Sequence, residues 1–117
     1  MHIQVNTDSH IQGGEQLRRH AQAIVEGALA RFRERITRVE VHLTDESSSA
    51  KASDDDKRCL MEVRLAGLQP IAVSHRAASI DQALGGAADK LERALDSTLG
   101  RLRTLEARPA QGNDQEN

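Results

Sequence analysis

Apolar positions change their spacing repeatedly along the chain, and each change marks the border of an element. From His2 to Asn6 they alternate, with Ile3 and Val5 on one side, which predicts a short strand with one buried face. Thr7 to Gly14 is rich in Asp, Ser and Gly and reads as a turn. From Glu15 to about Glu34 the period becomes helical: Leu17, Ala21, Ile24, Ala28 and Phe32 share a face, with Val25 and Leu29 beside it. Ile36 to Leu43 returns to period two, with Val39, Val41 and Leu43 one way and Arg38, Glu40 and His42 the other. Lys57 to Ala66 predicts a third strand, with Cys59, Met61, Val63 and Leu65 inward and Arg58, Glu62 and Arg64 outward. After a tight Gly67-Leu68-Gln69 connection, Pro70 to His75 predicts a fourth, where Pro is tolerated as the first residue.

The longest pattern runs from Ile80 to Leu105. Ile80, Leu84, Ala87, Leu91, Ala94, Leu95, Thr98, Leu102 and Leu105 recur at spacings that make one apolar stripe on a single long helix. Ser79 stands three residues before Gln82, the spacing of a capping box. Gly85-Gly86 inside this helix reads as close helix packing, with a hinge as the alternative. The order is β-α-β-β-β-α, an α+β class. Both helical stripes and four alternating strands bury their apolar sides together only if both helices pack on one face of a four-stranded sheet. The other sheet face is then open to solvent.

Composition narrows the picture. The 117 residues suit one domain, with an aliphatic core, since the chain has one Phe, no Trp and no Tyr. No window approaches the roughly 18 apolar residues of a membrane span, and MHIQVNTDSH lacks the features of a signal peptide. A single Cys allows no internal disulfide and no multi-Cys zinc site, which fits a reducing cytoplasm. The net charge of −2 is unevenly spread. The Ser- and Asp-rich segment 44–56 and the tail 109–117 hold most of the acid excess. Without them 15 Lys and Arg face 11 Asp and Glu, a balance of about +4. Both segments lack apolar anchors, so residues 46–55 and 109–117 are expected to be mobile, and residues 1–108 to form a single domain.

Several local phrases, taken in order, carry a resemblance. They are Ile3-Gln4-Val5, Glu15-Gln16-Leu17, Phe32, the run from Arg35 to Leu43 (RITRVEVHL), and Asp89-Lys90-Leu91-Glu92-Arg93 with Leu95. Together they resemble the hibernation-promoting factor family, also called ribosome-associated inhibitor or protein Y, in its short form. The resemblance covers roughly residues 1 to 105. It implies a fold like a double-stranded-RNA-binding domain. It also implies a partner, the small ribosomal subunit, bound through ribosomal RNA phosphates in the channel used by messenger and transfer RNA. Occupying that channel reduces translation under stress or in stationary phase. The sequence departs from the family in its last helix: after Leu95, two expected basic positions are Ser97 and Leu99, while Arg101 and Arg103 remain.

Phosphate binding needs clustered cations. On the helices the candidates are Arg18, Arg19, Arg31, Arg33, Lys90, Arg93, Arg101 and Arg103, of which Lys90 and Arg93 match the family most directly. On the open sheet face they are Arg38, Arg58, Arg64 and Arg76, with His2 and His42 nearby, and Arg38 joins the helix residues as a candidate RNA contact. Single-strand readers stack bases on aromatic rings. The only one here, Phe32, lies on a buried stripe, so the expected contacts are to phosphates and shape. No nucleophile elbow, P-loop or zinc motif occurs, and Ser74 and His75 point to opposite strand faces. Asp54-Asp55-Asp56 reads as flexible acidity rather than a cation site, and Cys59 as a small buried hydrophobe. The expectation is a non-catalytic, cytoplasmic ribosome-binding factor without cofactor, metal, membrane or small-molecule substrate. The alternative is a protein-interaction module on the same fold. A contiguous basic surface across the helices favours RNA, and evenly mixed charges favour a protein.

Overall fold

Each predicted strand has one apolar side and each predicted helix one apolar stripe, and the chain joins them as a sheet layer covered by a helix layer. The computed structural model describes residues 1–46 and 56–107. The elements are β1 (His2–Thr7), α1 (Gly14–Ala28), a 3₁₀ segment (Ala30–Arg35), β2 (Ile36–Asp45), β3 (Lys57–Leu65), β4 (Ile71–Ala77) and α2 (Ile80–Ala107). The strands form one sheet in the order β1-β2-β3-β4. β1 pairs parallel to β2, in register from His2↔Arg38 to Thr7↔Leu43. The other two pairings are antiparallel. A parallel pair cannot be closed by a tight turn, and here α1 and the 3₁₀ segment supply the crossover.

Val5, Val39, Val41, Leu43, Cys59, Met61, Val63 and Leu65 line the inner sheet face. They share one core with Ala21 and Val25 of α1 and Leu84, Leu91 and Leu95 of α2. Both helices therefore lie on the same face, as the pattern predicts. Ser79 caps α2: the Gln82 N–H donates to its Oγ at 3.1 Å, a contact worth about 1 kcal/mol in comparable helices. Gly67, at φ 75, takes the β3–β4 turn through a backbone conformation that other residues rarely adopt.

Several boundaries differ from the predicted ones. The helix expected to reach Glu34 ends at Ala28. Leu29 leaves the helical region at φ −108, ψ 12, and the chain tightens into the 3₁₀ segment. Its N–H still reaches Val25 O at 2.9 Å, and the Phe32 N–H then bonds Leu29 O at 3.0 Å. With three residues per turn, Leu29 and Phe32 fall on one side and are both buried. The stripe of α2 differs too: it includes Ala83, Ala88 and Leu99, while Leu105 is 61 % exposed. The helix outruns the sheet: Leu102 still packs on the core, and Leu105 has nothing to cover. At the other end of the hairpin, β2 extends to Asp45 and the Glu46 N–H bonds Asp56 O at 2.8 Å. The segments expected to be mobile, 46–55 and 109–117, lie outside the described residues apart from Glu46.

Candidate nucleic-acid interface

α1 and α2 lie side by side and run in the same sense. His20, midway along α1, meets Asp81, in the first turn of α2, at 2.7 Å. Arg31, beyond the end of α1, meets Asp96 at 2.9 Å and Glu92 at 3.5 Å, further along α2. The first turns carry Glu15 and Asp81, acids that suit the positive ends of helix dipoles. The opposite end gathers arginines: Arg31, Arg33 and Arg35 from the 3₁₀ segment, Arg101 and Arg103 from α2.

The candidate cations divide by position. Arg18 and Arg19 sit at the start of α1 and share Glu15, at 3.3 and 3.7 Å. Arg33 lies 3.9 Å from Glu26. Arg31 is held three ways, by Asp96, by Glu92 and by the Phe32 ring, whose centroid is 4.2 Å from its guanidinium carbon. The hydrogen bond to Asp96 raises the Arg31 pKa, and the same bond lowers that of the Asp96 carboxyl. On α2, Lys90 Nζ donates to the Ser74 carbonyl of β4 at 2.9 Å. Arg101 Nη1 donates to Ser97 Oγ, one turn back, at 2.9 Å. Arg93 and Arg103 are exposed and make no ion pair with a described residue.

A cleft of about 420 Å³ opens between the 3₁₀ segment and α2, lined by Arg31, Phe32, Arg35, Leu99 and Arg103. Sequence reasoning does not single out Arg35 as a phosphate ligand. It falls outside a helix read as ending at Glu34, but the 3₁₀ segment carries it to the cleft whose floor is Phe32. The alternation of Arg31, Arg33 and Arg35 is the signal that could have found it.

Arg38 stands apart from these groups, on the open sheet face. Pairing registers order that face into rows. His2, Arg38 and Arg64 form one row, Gln4, Glu40 and Glu62 the next, and Thr44, Arg58 and Arg76 another. Glu40 and Glu62 oppose each other directly, a repulsive arrangement on its own. Arg38 relieves it, reaching Glu40 at 2.8 Å and also bonding the Gln4 side chain, and Arg64 lies 4.0 Å from Glu62. The Arg38 hydrogen bond, helped by His42, holds the Glu40 carboxyl below the usual carboxylate range. Arg76 pairs with Glu46. The sheet face thus carries a carboxylate row between cationic rows.

Cys59 is fully buried, and burial pushes its thiol up to about 12 against the opposing pull of Arg58. Lys57 sits between Asp56 at 2.7 Å and Asp45 at 3.4 Å, and the Asp56 hydrogen bond raises its pKa. Among the described residues no group of three or more His, Cys, Asp or Glu is placed to hold a metal ion. No helix there is long and apolar enough to cross a membrane.

Solved structures share this architecture. A ribosomal subunit interface protein from Coxiella burnetii matches with a TM-score of 0.65 at 19 % identity, covering 86 % of this chain and 99 % of that one. The N-terminal domain of Protein Y from Thermus thermophilus matches with a TM-score of 0.61 at 22 % identity, covering 84 % and 99 %. At such identities the likeness concerns the fold. No curated protein sequence matches the chain. The family model described as sigma 54 modulation protein / S30EA ribosomal protein matches residues 3–103, nearly the whole of the described domain, and the chain belongs to that family.

Proposed function

We propose that the chain binds the small ribosomal subunit through RNA phosphates, using the helix side of the domain, and that it reduces translation by occupying the messenger and transfer RNA channel. The observation that carries this reading is a set of arginines that make no ion pair with a described residue: Arg35 and Arg103, which line one cleft, and Arg93 and Arg101, eight residues apart on α2. The sheet face offers less: its central row is acidic, and Arg38 is committed to Glu40 and Gln4. Family membership and the names of the two similar proteins agree with a ribosomal partner. Phosphate binding of this kind needs no aromatic residues, in keeping with a chain whose one Phe is buried.

The test is co-sedimentation with ribosomes across a salt series, for the wild type and for a variant with Lys90, Arg93, Arg101 and Arg103 all changed to Ala. Binding should weaken in the variant, and its salt slope should become shallower by roughly 0.7 to 0.9 for each phosphate that is no longer neutralised. A folded quadruple variant that sediments like the wild type with the same slope rejects the reading. One observation favours a second reading, a protein-interaction module. Arg18, Arg19, Arg31 and Arg33 each lie within 4.0 Å of a carboxylate, so the α1 side presents mixed charges. Absence of wild-type sedimentation even at low salt would favour that module.

A further inference from the structure

The cleft between the 3₁₀ segment and α2 has walls of one chemistry and a floor of another. Its walls carry three guanidinium groups, from Arg31, Arg35 and Arg103, and its floor is the buried Phe32 with Leu99. Three like charges around a small space repel one another unless an anion joins them. Arg31 already has its anions in Asp96 and Glu92. Arg103 is near enough to lower the Asp96 carboxyl, yet it makes no ion pair with a described residue, and neither does Arg35. Two forked donor groups therefore face a shared cleft with their hydrogen-bonding capacity unspent within the described chain.

We propose that this cleft is a binding site for a single phosphate group, clasped by the forks of Arg35 and Arg103, with Arg31 contributing charge and fixing the wall. A tetrahedral oxyanion presents several acceptor oxygens at once and can satisfy two guanidinium forks together, the geometry in which Arg surpasses Lys. The phosphate can belong to an RNA backbone or to a small phosphorylated molecule. The RNA source rests on the ribosome-binding reading above, whereas the chemistry of the cleft does not.

The experiment follows the side-chain Nε–H signals of arginine by NMR in the full chain. Inorganic phosphate is added in one arm and a short A-form RNA duplex in the other, each against chloride at matched ionic strength. Phosphate should shift the Arg35 and Arg103 signals saturably, with a Kd of roughly 1 to 10 mM, the range of a small anion held by a few charge-assisted bonds. The shift should vanish in the double variant R35A/R103A and persist in R64A, whose side chain is on the open sheet face. R35K/R103K, which keeps the charge without the forks, should bind more weakly than wild type. The backbone spectrum verifies that each variant is folded.

If the duplex moves the same signals, and R35A/R103A lowers its affinity with a salt slope shallower by about one, the phosphate is that of RNA. If phosphate saturates the site but the duplex leaves it untouched, the site takes a small phosphorylated molecule. Phosphate shifts no larger than those of chloride, or equal shifts in R35A/R103A, overturn the proposal. A positive phosphate titration in a chain that does not sediment with ribosomes would remove the ribosome reading and leave the cleft standing.

Discussion

The His75 ring rests on the bare backbone of Gly86: a Cβ added there would lie 2.1 Å from His75 Cδ2. His75 pairs with Cys59 across β3 and β4 and so shares its inward side, which brings β4 against the first turns of α2. Gly86 thus serves close packing. Its neighbour Gly85 faces open space, where a Cβ would meet nothing within 4 Å. The two glycines should therefore respond in opposite directions. Gly86→Ala should destabilise the domain by about 1 to 2 kcal/mol, overpacking outweighing the gain in helix propensity. Gly85→Ala should stabilise it by up to about 1 kcal/mol. Urea unfolding of both variants measures this, and adding H75A to G86A should recover part of the loss.

Asp96 pairs with Arg31 at 2.9 Å, so it would compete with a phosphate bound at the proposed site. The Asp96→Asn substitution removes that anion and leaves Arg31 and Arg103 with one carboxylate fewer between them. Ribosome affinity at low salt should rise by roughly two- to fivefold, with a steeper salt slope. An affinity that falls would mean that Arg31 works only while held by Asp96.

Cys59 should be silent towards thiol reagents in the folded domain. With its pKa at about 12, a fraction near 10⁻⁴ is thiolate at pH 8, and the sulfur is buried besides. The raised value also sets a pH dependence. The unfolded chain ionises at about pH 8.5, so the contribution of the buried thiol is complete below that and falls as pH rises towards 12. The stability gap between wild type and Cys59→Ala should narrow by about 1.4 kcal/mol per pH unit above 8.5, or about 2 kcal/mol by pH 10. Urea unfolding at pH 7 and pH 10 gives the comparison.

Glu40 behaves in the opposite sense. Its depressed pKa means that its contribution is present above the unfolded value of about 4.3 and is lost as pH falls through the lower folded value. A carboxyl titration by NMR should find Glu40 below the ordinary range in wild type. Arg38→Ala should return it upwards, since the Arg38 hydrogen bond is the main cause. An unchanged titration in that variant would contradict the pairing.

Strand alternation made the sheet legible from sequence, because period two assigns each side chain to a face with no further information. Val39, Val41 and Leu43, and likewise Cys59, Met61, Val63 and Leu65, are all on the buried side. The helices were legible in existence and less so in extent. Leu29 and Phe32 fit a helical stripe or a 3₁₀ turn equally well, since both place residues three apart on one side, so the break after Ala28 left no trace in the pattern. Ala83 and Ala88 lie beside the stripe that Leu84, Ala87 and Leu91 mark, and they are buried because α2 packs closely on the sheet. The cations show the limit most clearly. A set of arginines in a sequence does not say which are already paired: Arg31 and Arg103 look alike there, and only the packing of the 3₁₀ segment on α2 gives Asp96 to the first.

The parallel pairing of β1 with β2 also bears on how the domain assembles. His2 finds its neighbour at Arg38, whereas β2, β3 and β4 meet as successive hairpins. Hairpins form fast because their loops cost little entropy to close, and long-range parallel pairing is slow. Val5 of β1 meets Val41 only across the α1 crossover, so any state in which β1 is unpaired leaves the outer edge of β2 open to another extended segment.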